Sequence, residues 1–251
     1  MTSEQLTIIN ATISDSLDRA EAHWNDVKKE FTKAAVLENY VEPSKIPGHP
    51  FVSDGKPEVT TFIAMVVDMR NSTEHLKTVV NNPKIENGFQ RIYYETSALL
   101  PAISKTVSFE YGVVTEYLGD GALILFEVDN DNNETDVIKS VSRAANNCIN
   151  ETRQAINSQL QERYNLRAID IGIGLSIGKA MVTLVGNADN LQPKAIGECI
   201  WEATKLSCET NKICISNGLR FKWPSSKGGS LSFEKFSLNK RNVTGYAIKR
   251  K

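Results

Sequence analysis

Two aspartates stand at positions where their carboxylates could meet. Asp68 ends the apolar run TFIAMVVDM (61–69), which predicts a buried strand, and residues typical of a helix start follow it. Asp120 lies in the Gly-Asp-Gly turn of a hairpin predicted over 111–128. Two such carboxylates suit hard divalent cations, which prefer oxygen ligands and bridge substrate phosphates. Each aspartate also has a purely structural interpretation, as a helix cap or as a common turn residue.

The elements around these residues alternate between strand and helix patterns. Helical patterns cover 86–107, 134–164 and 195–212, and 169–186 is typical of a glycine-punctuated pair of strands. Two further strands close the chain, SLSFEKFSL and VTGYAIKR. The sequence therefore predicts an α+β fold in which helices cover a mixed sheet.

A separate segment precedes this domain. Apolar residues recur at three- and four-residue steps within 4–40, which predicts an amphipathic helix. Four prolines and two glycines between Glu42 and Val59 predict an extended linker. We expect residues 1–58 to form a helical segment with a Pro-rich linker, and residues 59–251 to form the main domain.

Composition excludes several classes of function. The 251 residues carry a formal net charge of −1, so no basic field draws the chain to nucleic acid or to an anionic membrane. The N-terminus is polar and acidic, unlike a signal peptide, and no run approaches the roughly 18 apolar residues of a membrane span. The four cysteines lack CxxC spacing, which favours free thiols over a disulfide or a zinc site. We expect a cytoplasmic protein without a membrane or nucleic-acid partner.

Four motifs together resemble a known family. The run FIAMVVDMRNST resembles the first-strand motif of class III nucleotidyl cyclases, and EYLGDGALILF resembles their Gly-Asp hairpin. Further on, IGIGLSIGKAMVTLVG is similar to their Gly-rich strand, and AIGECIWEATKLSCET to their closing motif. The order and spacing agree over roughly residues 60–215. The resemblance implies a mainly antiparallel cyclase sheet and an enzyme that closes a nucleoside triphosphate into a 3′,5′-cyclic monophosphate.

The resemblance also implies a ligand set. Asp68 and Asp120 would hold two divalent cations, Mn²⁺ or Mg²⁺, and the Met69 carbonyl would complete the shell of one of them. The β- and γ-phosphates would contact the backbone N–H groups of four consecutive residues, Arg70, Asn71, Ser72 and Thr73. In this family the site forms between two subunits, and this chain contains both sets of residues. A homodimer with two equivalent interfacial sites is therefore implied.

Four positions depart from the adenylate-type pattern. Glu116 stands where adenylate-type members have Lys, as in guanylate-type members, and Lys194 replaces an Asp. Trp201 and Lys205 align with the helical Asn and Arg that steady the ribose and the developing phosphoryl charge. Lys205 supplies charge without the fork of an Arg, and Trp201 can stack or donate its N–H. Alternatively, Glu116 and Lys194 are solvated residues and Trp201 packs in the core or in a dimer interface.

Donor and acceptor chemistry indicates the base. Glu116 only accepts hydrogen bonds and Lys194 only donates them, so adenine, which has no carbonyl, fits worst. A bulky Trp201 near the nucleoside favours a smaller base. The chain resembles the bacterial pyrimidine cyclases of anti-phage signalling, which implies UTP to cUMP or CTP to cCMP. The alternatives are a guanylate or adenylate cyclase, or an inactive cyclase-like regulatory module.

Overall fold

The apolar run that contains Asp68 forms an interior strand of the main sheet. The structure is a computed structural model that describes residues 41–78, 82–129, 133–187, 189–224, 229–238 and 243–250. The amphipathic helix predicted within 4–40 lies outside these residues. The described chain forms two compact units, one containing 41–60 and 180–196, and the other containing 61–179 and 197–250. No helix in the described ranges is long and apolar enough to cross a membrane.

The second unit contains a sheet with six helices and one π-helical turn. Its strands are β3 (Glu58–Met69, of which 61–69 belong here), β4 (Val113–Tyr117), β5 (Gly121–Val128), β6 (Ile171–Asn187, to residue 179), β8 (Ile213–Ser216), β9 (Leu231–Leu238) and β10 (Val243–Arg250). The helices are α1 (Ser72–Lys77), α2 (Gly88–Ser108), α3 (Glu134–Asn147), the π-turn (Cys148–Thr152), α4 (Arg153–Tyr164), α5 (Glu198–Leu206) and α6 (Asn217–Lys222).

The sheet is mainly antiparallel, as predicted. The strand order is β4-β5-β3-β6-β8-β10-β9, and the pairs β3–β5, β4–β5, β8–β10 and β9–β10 are antiparallel. The pair β6–β8 is parallel, which makes the sheet mixed. The predicted α+β class is confirmed, and so are the strand over 61–69, the hairpin over 111–128, the helix over 86–107 and the two closing strands.

Helices α2, α3 and α4 cover one face of this sheet. Alternate residues of β3 (Ile63, Met65 and Val67) share one buried core with Leu99 of α2 and Ile138 of α3. Alternation along a strand sends every second side chain to the same face. The residues that alternate with them therefore point to the opposite face. Asp68 is the last of these residues in β3.

The strand pair predicted over 169–186 is wrong, because β6 is one continuous strand of 17 residues. Two of its glycines, Gly174 and Gly178, serve close packing rather than a turn. A Cβ on Gly174 would lie 1.9 Å from the Ala203 carbonyl oxygen, and one on Gly178 would lie 3.2 Å from Cys199 Cβ. Because Ile173 and Leu175 belong to the helix-covered core, these glycines face the other side of the sheet. Helix α5 therefore packs on the face to which Asp68 points.

The linker predicted between Glu42 and Val59 is also wrong. Strands β1 (Val41–Ile46) and β2 (His49–Ser53) form an antiparallel hairpin in the first unit, with a register shift between Pro43 and Ile46. Gly48 at φ 76° supplies the left-handed backbone of the turn. A two-stranded ribbon has an outer edge on each strand, where a proline removes no ladder hydrogen bond.

The region after β6 contains more elements than the sequence predicted. In the first unit β7 (Asn190–Ile196) pairs antiparallel with the end of β6, from Met181 opposite Ile196 to Asn187 opposite Asn190. The helix predicted over 195–212 is shorter, because α5 begins at Glu198 after extended Gly197 and ends at Leu206. The short elements β8 and α6 follow and were not predicted.

Candidate active site

Asp68 and Asp120 lie at the same edge of the sheet. Asp68, near the end of β3, pairs with Gly121, the first residue of β5, and Asp120 directly precedes Gly121 in the turn. The Met69 N–H donates to the Asp120 carbonyl oxygen at 3.3 Å. The Leu118 N–H donates to the Gly121 carbonyl oxygen at 2.8 Å and closes the turn. The two aspartates are thus on adjoining backbone positions.

Gly121 leaves space for the Asp68 carboxylate. A Cβ on Gly121 would lie 2.6 Å from the Val67 carbonyl oxygen and 3.2 Å from Asp68 Oδ1. No side chain can be added there without moving the backbone of β3 or the carboxylate. Glycine in this turn is therefore required by the contact with β3, whereas the neighbouring Gly119 is required by its φ of 73°.

The side chain of Arg70 contacts Asp68. Its guanidinium forms an ion pair with Asp68 Oδ2 and also donates from Nη1 to the Cys208 carbonyl oxygen at 3.1 Å. The Arg70 backbone N–H donates to the Asp170 carbonyl oxygen at 2.8 Å. Of the four N–H groups that the resemblance assigns to phosphates, this one is thus already engaged with the sheet. A phosphate contact at Arg70 would require this bond to break.

Helix α1 begins directly after these residues. Asn71 is its N-cap residue, in a left-handed conformation at φ 60°, and its side chain makes no capping hydrogen bond. The first helical bond runs from the His75 N–H to the Asn71 carbonyl oxygen at 3.0 Å. The alternative in which Asp68 only caps this helix is therefore wrong. Ser72 and Thr73 form the first part of α1, four residues beyond Asp68.

Glu116 faces the same side of the sheet as Asp68. It lies opposite Leu123 in the β4–β5 pair, after a register shift between Val114 and Glu116. The neighbours of Leu123 on β5, Ala122 and Ile124, belong to the helix-covered core, so Leu123 and Glu116 point to the opposite face. The Glu116 side chain is partly exposed.

Trp201 and Lys205 form a stacked pair on α5. Trp201 is 53% exposed, which rules out the alternative that it packs in the core of this chain. Lys205 Nζ lies 3.2 Å from the centroid of the Trp201 ring, a cation–π contact across one helical turn. Both residues are on the helix that packs over the glycines of β6. Asp68, Glu116 and this pair therefore share one face of the sheet.

Lys194 belongs to the first unit. It lies opposite Thr183 in the β6–β7 pair and is partly exposed. Its assignment as a base-reading residue stays a prediction.

The carboxylate donors fit divalent cations. In the parts of the chain that the structure describes, no group of three or more His, Cys, Asp or Glu side chains could hold a metal ion. Asp68 and Asp120 are two carboxylate residues at one edge of the sheet. Mg²⁺ is usually bound through one or two carboxylates together with substrate phosphates and water, so this donor set is appropriate.

Sequence reasoning missed the contacts of Arg70. Its side chain joins Asp68 to the Cys208 carbonyl, as described above, and its backbone N–H bonds to the Asp170 carbonyl. Asp170 Oδ1 in turn accepts from Asn211 Nδ2 at 2.7 Å and lies 3.4 Å from Arg153 Nη1. The available signal was the position of Asp170 directly before the apolar strand that begins at Ile171.

Known proteins resemble this chain in structure. No protein-family model and no curated protein sequence matches it. The adenylyl cyclase CyaB from P. aeruginosa is similar with a TM-score of 0.63 at 14% identity, over 78% of this chain and 97% of that chain. The guanylate cyclase domain of RhGC from Catenaria anguillulae, solved with GTP, has a TM-score of 0.57 at 16% identity, over 78% of this chain and 99% of that chain.

A third similar structure is described as a non-canonical dimer. It is the guanylyl cyclase domain of the RhoGC fusion protein from Blastocladiella emersonii, with a TM-score of 0.57 at 14% identity, over 78% of this chain and 98% of that chain. The similarity extends over nearly the full length of all three domains. The chain therefore has the α+β fold of class III nucleotidyl cyclase catalytic domains.

Proposed function

We propose that this chain is a nucleotidyl cyclase that converts a nucleoside triphosphate into a 3′,5′-cyclic nucleotide and pyrophosphate. The observation that carries the proposal is the position of Asp68 and Asp120 on adjoining backbone positions at one sheet edge, in a fold shared with adenylyl and guanylyl cyclases. Two divalent cations, Mn²⁺ or Mg²⁺, would be held there with the help of the Met69 carbonyl. When bound, they lower the pKa of the substrate 3′-hydroxyl and neutralise the triphosphate.

The residues of the chain mainly orient the substrate. The 3′-oxygen attacks the α-phosphorus in line, a new O3′–P bond forms, and the bond from the α-phosphorus to the leaving pyrophosphate breaks. The β- and γ-phosphates would be bound by the residues that begin helix α1 after Asp68, namely Asn71, Ser72 and Thr73. Lys205 would stabilise the charge that develops on the phosphoryl oxygens, held in place by its contact with Trp201.

We place the complete site between two copies of the chain. Asp68 and Asp120 would come from one protomer, and Glu116, Trp201 and Lys205 from its partner, which gives two equivalent sites. Mixing Asp68→Ala chains with Lys205→Ala chains tests this arrangement, since one site of the mixed dimer keeps both sets of residues. Partial recovery of activity is expected. No recovery after verified subunit exchange would contradict shared sites.

The preferred base in this proposal is a pyrimidine. Glu116 would accept from a base N–H and Lys194 would donate to a carbonyl, a combination that uracil satisfies and adenine does not. The product, cUMP or cCMP, would act as a second messenger in anti-phage defence in the cytoplasm. Guanine is the next candidate because it also offers a carbonyl beside N–H groups.

One assay distinguishes these possibilities. The purified protein is incubated with each of the four nucleoside triphosphates and Mn²⁺ or Mg²⁺, and the products are separated by mass. We expect cUMP or cCMP with pyrophosphate. Preference for GTP or ATP would replace the pyrimidine assignment. No cyclic product from any nucleotide would favour the second candidate, an inactive regulatory module, which the ion pair between Arg70 and Asp68 also favours.

A further inference from the structure

Helix α1 is too short and too exposed to fix its own position. It has six residues, none of which is buried, and it begins four residues after Asp68. Isolated helices of this length are not stable in water, and tertiary contacts normally hold them in place. The contacts that α1 makes with its neighbours therefore determine where the chain leads away from Asp68.

The main polar contact of α1 is made with a fully buried carboxylate. His75 Nδ1 lies 2.9 Å from Oε2 of Glu95, a residue of α2 whose side chain is 0% exposed. The other oxygen, Oε1, accepts from Arg91 Nε at 2.8 Å, one turn earlier on α2. One carboxylate oxygen thus binds its own helix and the other binds α1. His75 in turn donates its backbone N–H to Asn71 at the start of α1.

A backbone contact reinforces this attachment. A Cβ on Gly88, the first residue of α2, would lie 2.0 Å from the Leu76 carbonyl oxygen and 3.0 Å from the His75 carbonyl oxygen. The first turn of α2 therefore lies directly against the second half of α1. The hydrogen bond between His75 and Glu95 and the backbone contact hold the same part of α1, so they act together on its position.

Stability alone does not explain a carboxylate at position 95. A buried ion pair is often no more stable than well-packed apolar residues of the same volume, because desolvation offsets the attraction. The contact of the carboxylate with His75 instead fixes the position of the imidazole. We infer that Glu95 is a positioning residue: acting through His75, it fixes α1 and the segment that joins this helix to Asp68. This inference rests on the proposed function for its effect on catalysis.

The test compares the two partners of Glu95. His75→Ala removes the partner on α1, Arg91→Ala removes the partner on α2, and His75→Asn retains a donor near the position of Nδ1. Amide hydrogen exchange over residues 71–78 and the kinetic constants of cyclisation are measured for each variant. In His75→Ala we expect exchange to be about tenfold faster and KM for the nucleotide to rise about tenfold, with a smaller change in kcat.

The controls separate positioning from a merely structural role. In His75→Asn and in Arg91→Ala, exchange over 71–78 and KM are expected to stay within about threefold of the parent. Glu95→Gln is the second variant if His75→Ala does not fold, because it replaces the carboxylate that His75 contacts. Unchanged exchange in His75→Ala, or an equal increase in His75→Ala and Arg91→Ala, would overturn the inference. A parent that makes no cyclic nucleotide refutes the proposed function instead, and the exchange data still decide whether Glu95 holds α1.

Discussion

The Arg70 side chain joins Asp68 to Cys208. The guanidinium pairs with the Asp68 carboxylate and at the same time donates to the Cys208 carbonyl oxygen. The Arg70 side chain is 16% exposed and that of Asp68 33%, so the pair is only partly solvated. A divalent cation that binds Asp68 must therefore compete with a positive group that is already present.

Removing this competitor should strengthen metal binding. Arg70→Met keeps the aliphatic stem and removes the charge. We expect Mn²⁺ to bind about tenfold more tightly, which corresponds to the lower end of the free-energy range for a hydrogen bond to a charged group, because the pair is partly exposed. Electron paramagnetic resonance of free Mn²⁺ measures the affinity without reference to activity. Arg143→Met is the control. Arg143 pairs with Glu110, so this substitution removes the same charge from a different ion pair. Equal affinity in Arg70→Met and the parent would show that the ion pair does not compete.

Glu116→Gln should change base selectivity. The substitution keeps the shape of the side chain but replaces half of its acceptor with a donor, which mismatches a base N–H. Such a mismatch in a desolvated pocket costs about 1–3 kcal/mol, or roughly ten- to a hundredfold in kcat/KM. The loss should fall on UTP or CTP and be smaller for ATP. If kcat/KM falls equally for all four nucleotides, Glu116 has a structural role only.

Gly174→Ala should destabilise the fold. The added Cβ would lie 1.9 Å from the Ala203 carbonyl oxygen, so α5 would have to move away from β6. Overpacking of this kind costs about 1–3 kcal/mol, which denaturant unfolding can measure. Gly218→Ala is the matched control, because the nearest atom to its Cβ is 3.9 Å away. A Gly174→Ala protein as stable as the Gly218→Ala protein would contradict the packing of α5 on β6.

The cysteines should differ in reactivity. Burial raises the pKa of Cys148 from 9.0 to about 12, of Cys199 to about 11 and of Cys214 to about 12, whereas Cys208 is only partly buried. Because thiolates are the reactive species, an aromatic disulfide reagent at pH 8 should titrate one thiol in the folded protein and four after denaturation. Cys208→Ser should remove the single fast thiol. Fast reaction of more than one thiol would show that the core opens readily.

The same burial predicts a loss of stability in alkali. Above pH 9.0 the three buried thiols ionise in the unfolded chain but stay neutral in the folded one. The free energy of unfolding should therefore be unaffected by these groups below pH 9 and should fall as the pH rises toward about 12. Replacing Cys148 by Ala should make this fall shallower.

The sequence predicted where Asp68 and Asp120 lie in the fold, because their positions depend on local pattern. An apolar run ending in Asp68 and a Gly-Asp-Gly turn at Asp120 were enough to place both residues at strand ends, and the pairing of Asp68 with Gly121 brings them together. Glycine in β6 was harder to interpret, because close packing and turns both require it. Its role at Gly174 depends on Ala203, which is distant in sequence.

Tertiary contacts account for the remaining differences. The hydrogen bond between His75 and Glu95 joins residues 20 positions apart, and neither residue belongs to a periodic pattern that would reveal it. The hairpin β1–β2 was hidden by its prolines, which normally indicate a linker but are tolerated at the edges of a two-stranded ribbon.

The most direct test measures metal binding and cyclisation in the same samples. The parent, Asp68→Ala and Asp120→Ala are titrated with Mn²⁺ in the presence of the preferred nucleotide, and cyclic product is quantified by mass, with circular dichroism to confirm folding. We expect the parent to bind Mn²⁺ and form the cyclic nucleotide, and both folded variants to lose at least about a hundredfold in turnover together with the bound metal. Turnover within a few-fold of the parent in either variant would contradict the assignment of Asp68 and Asp120 as the metal ligands of a cyclase.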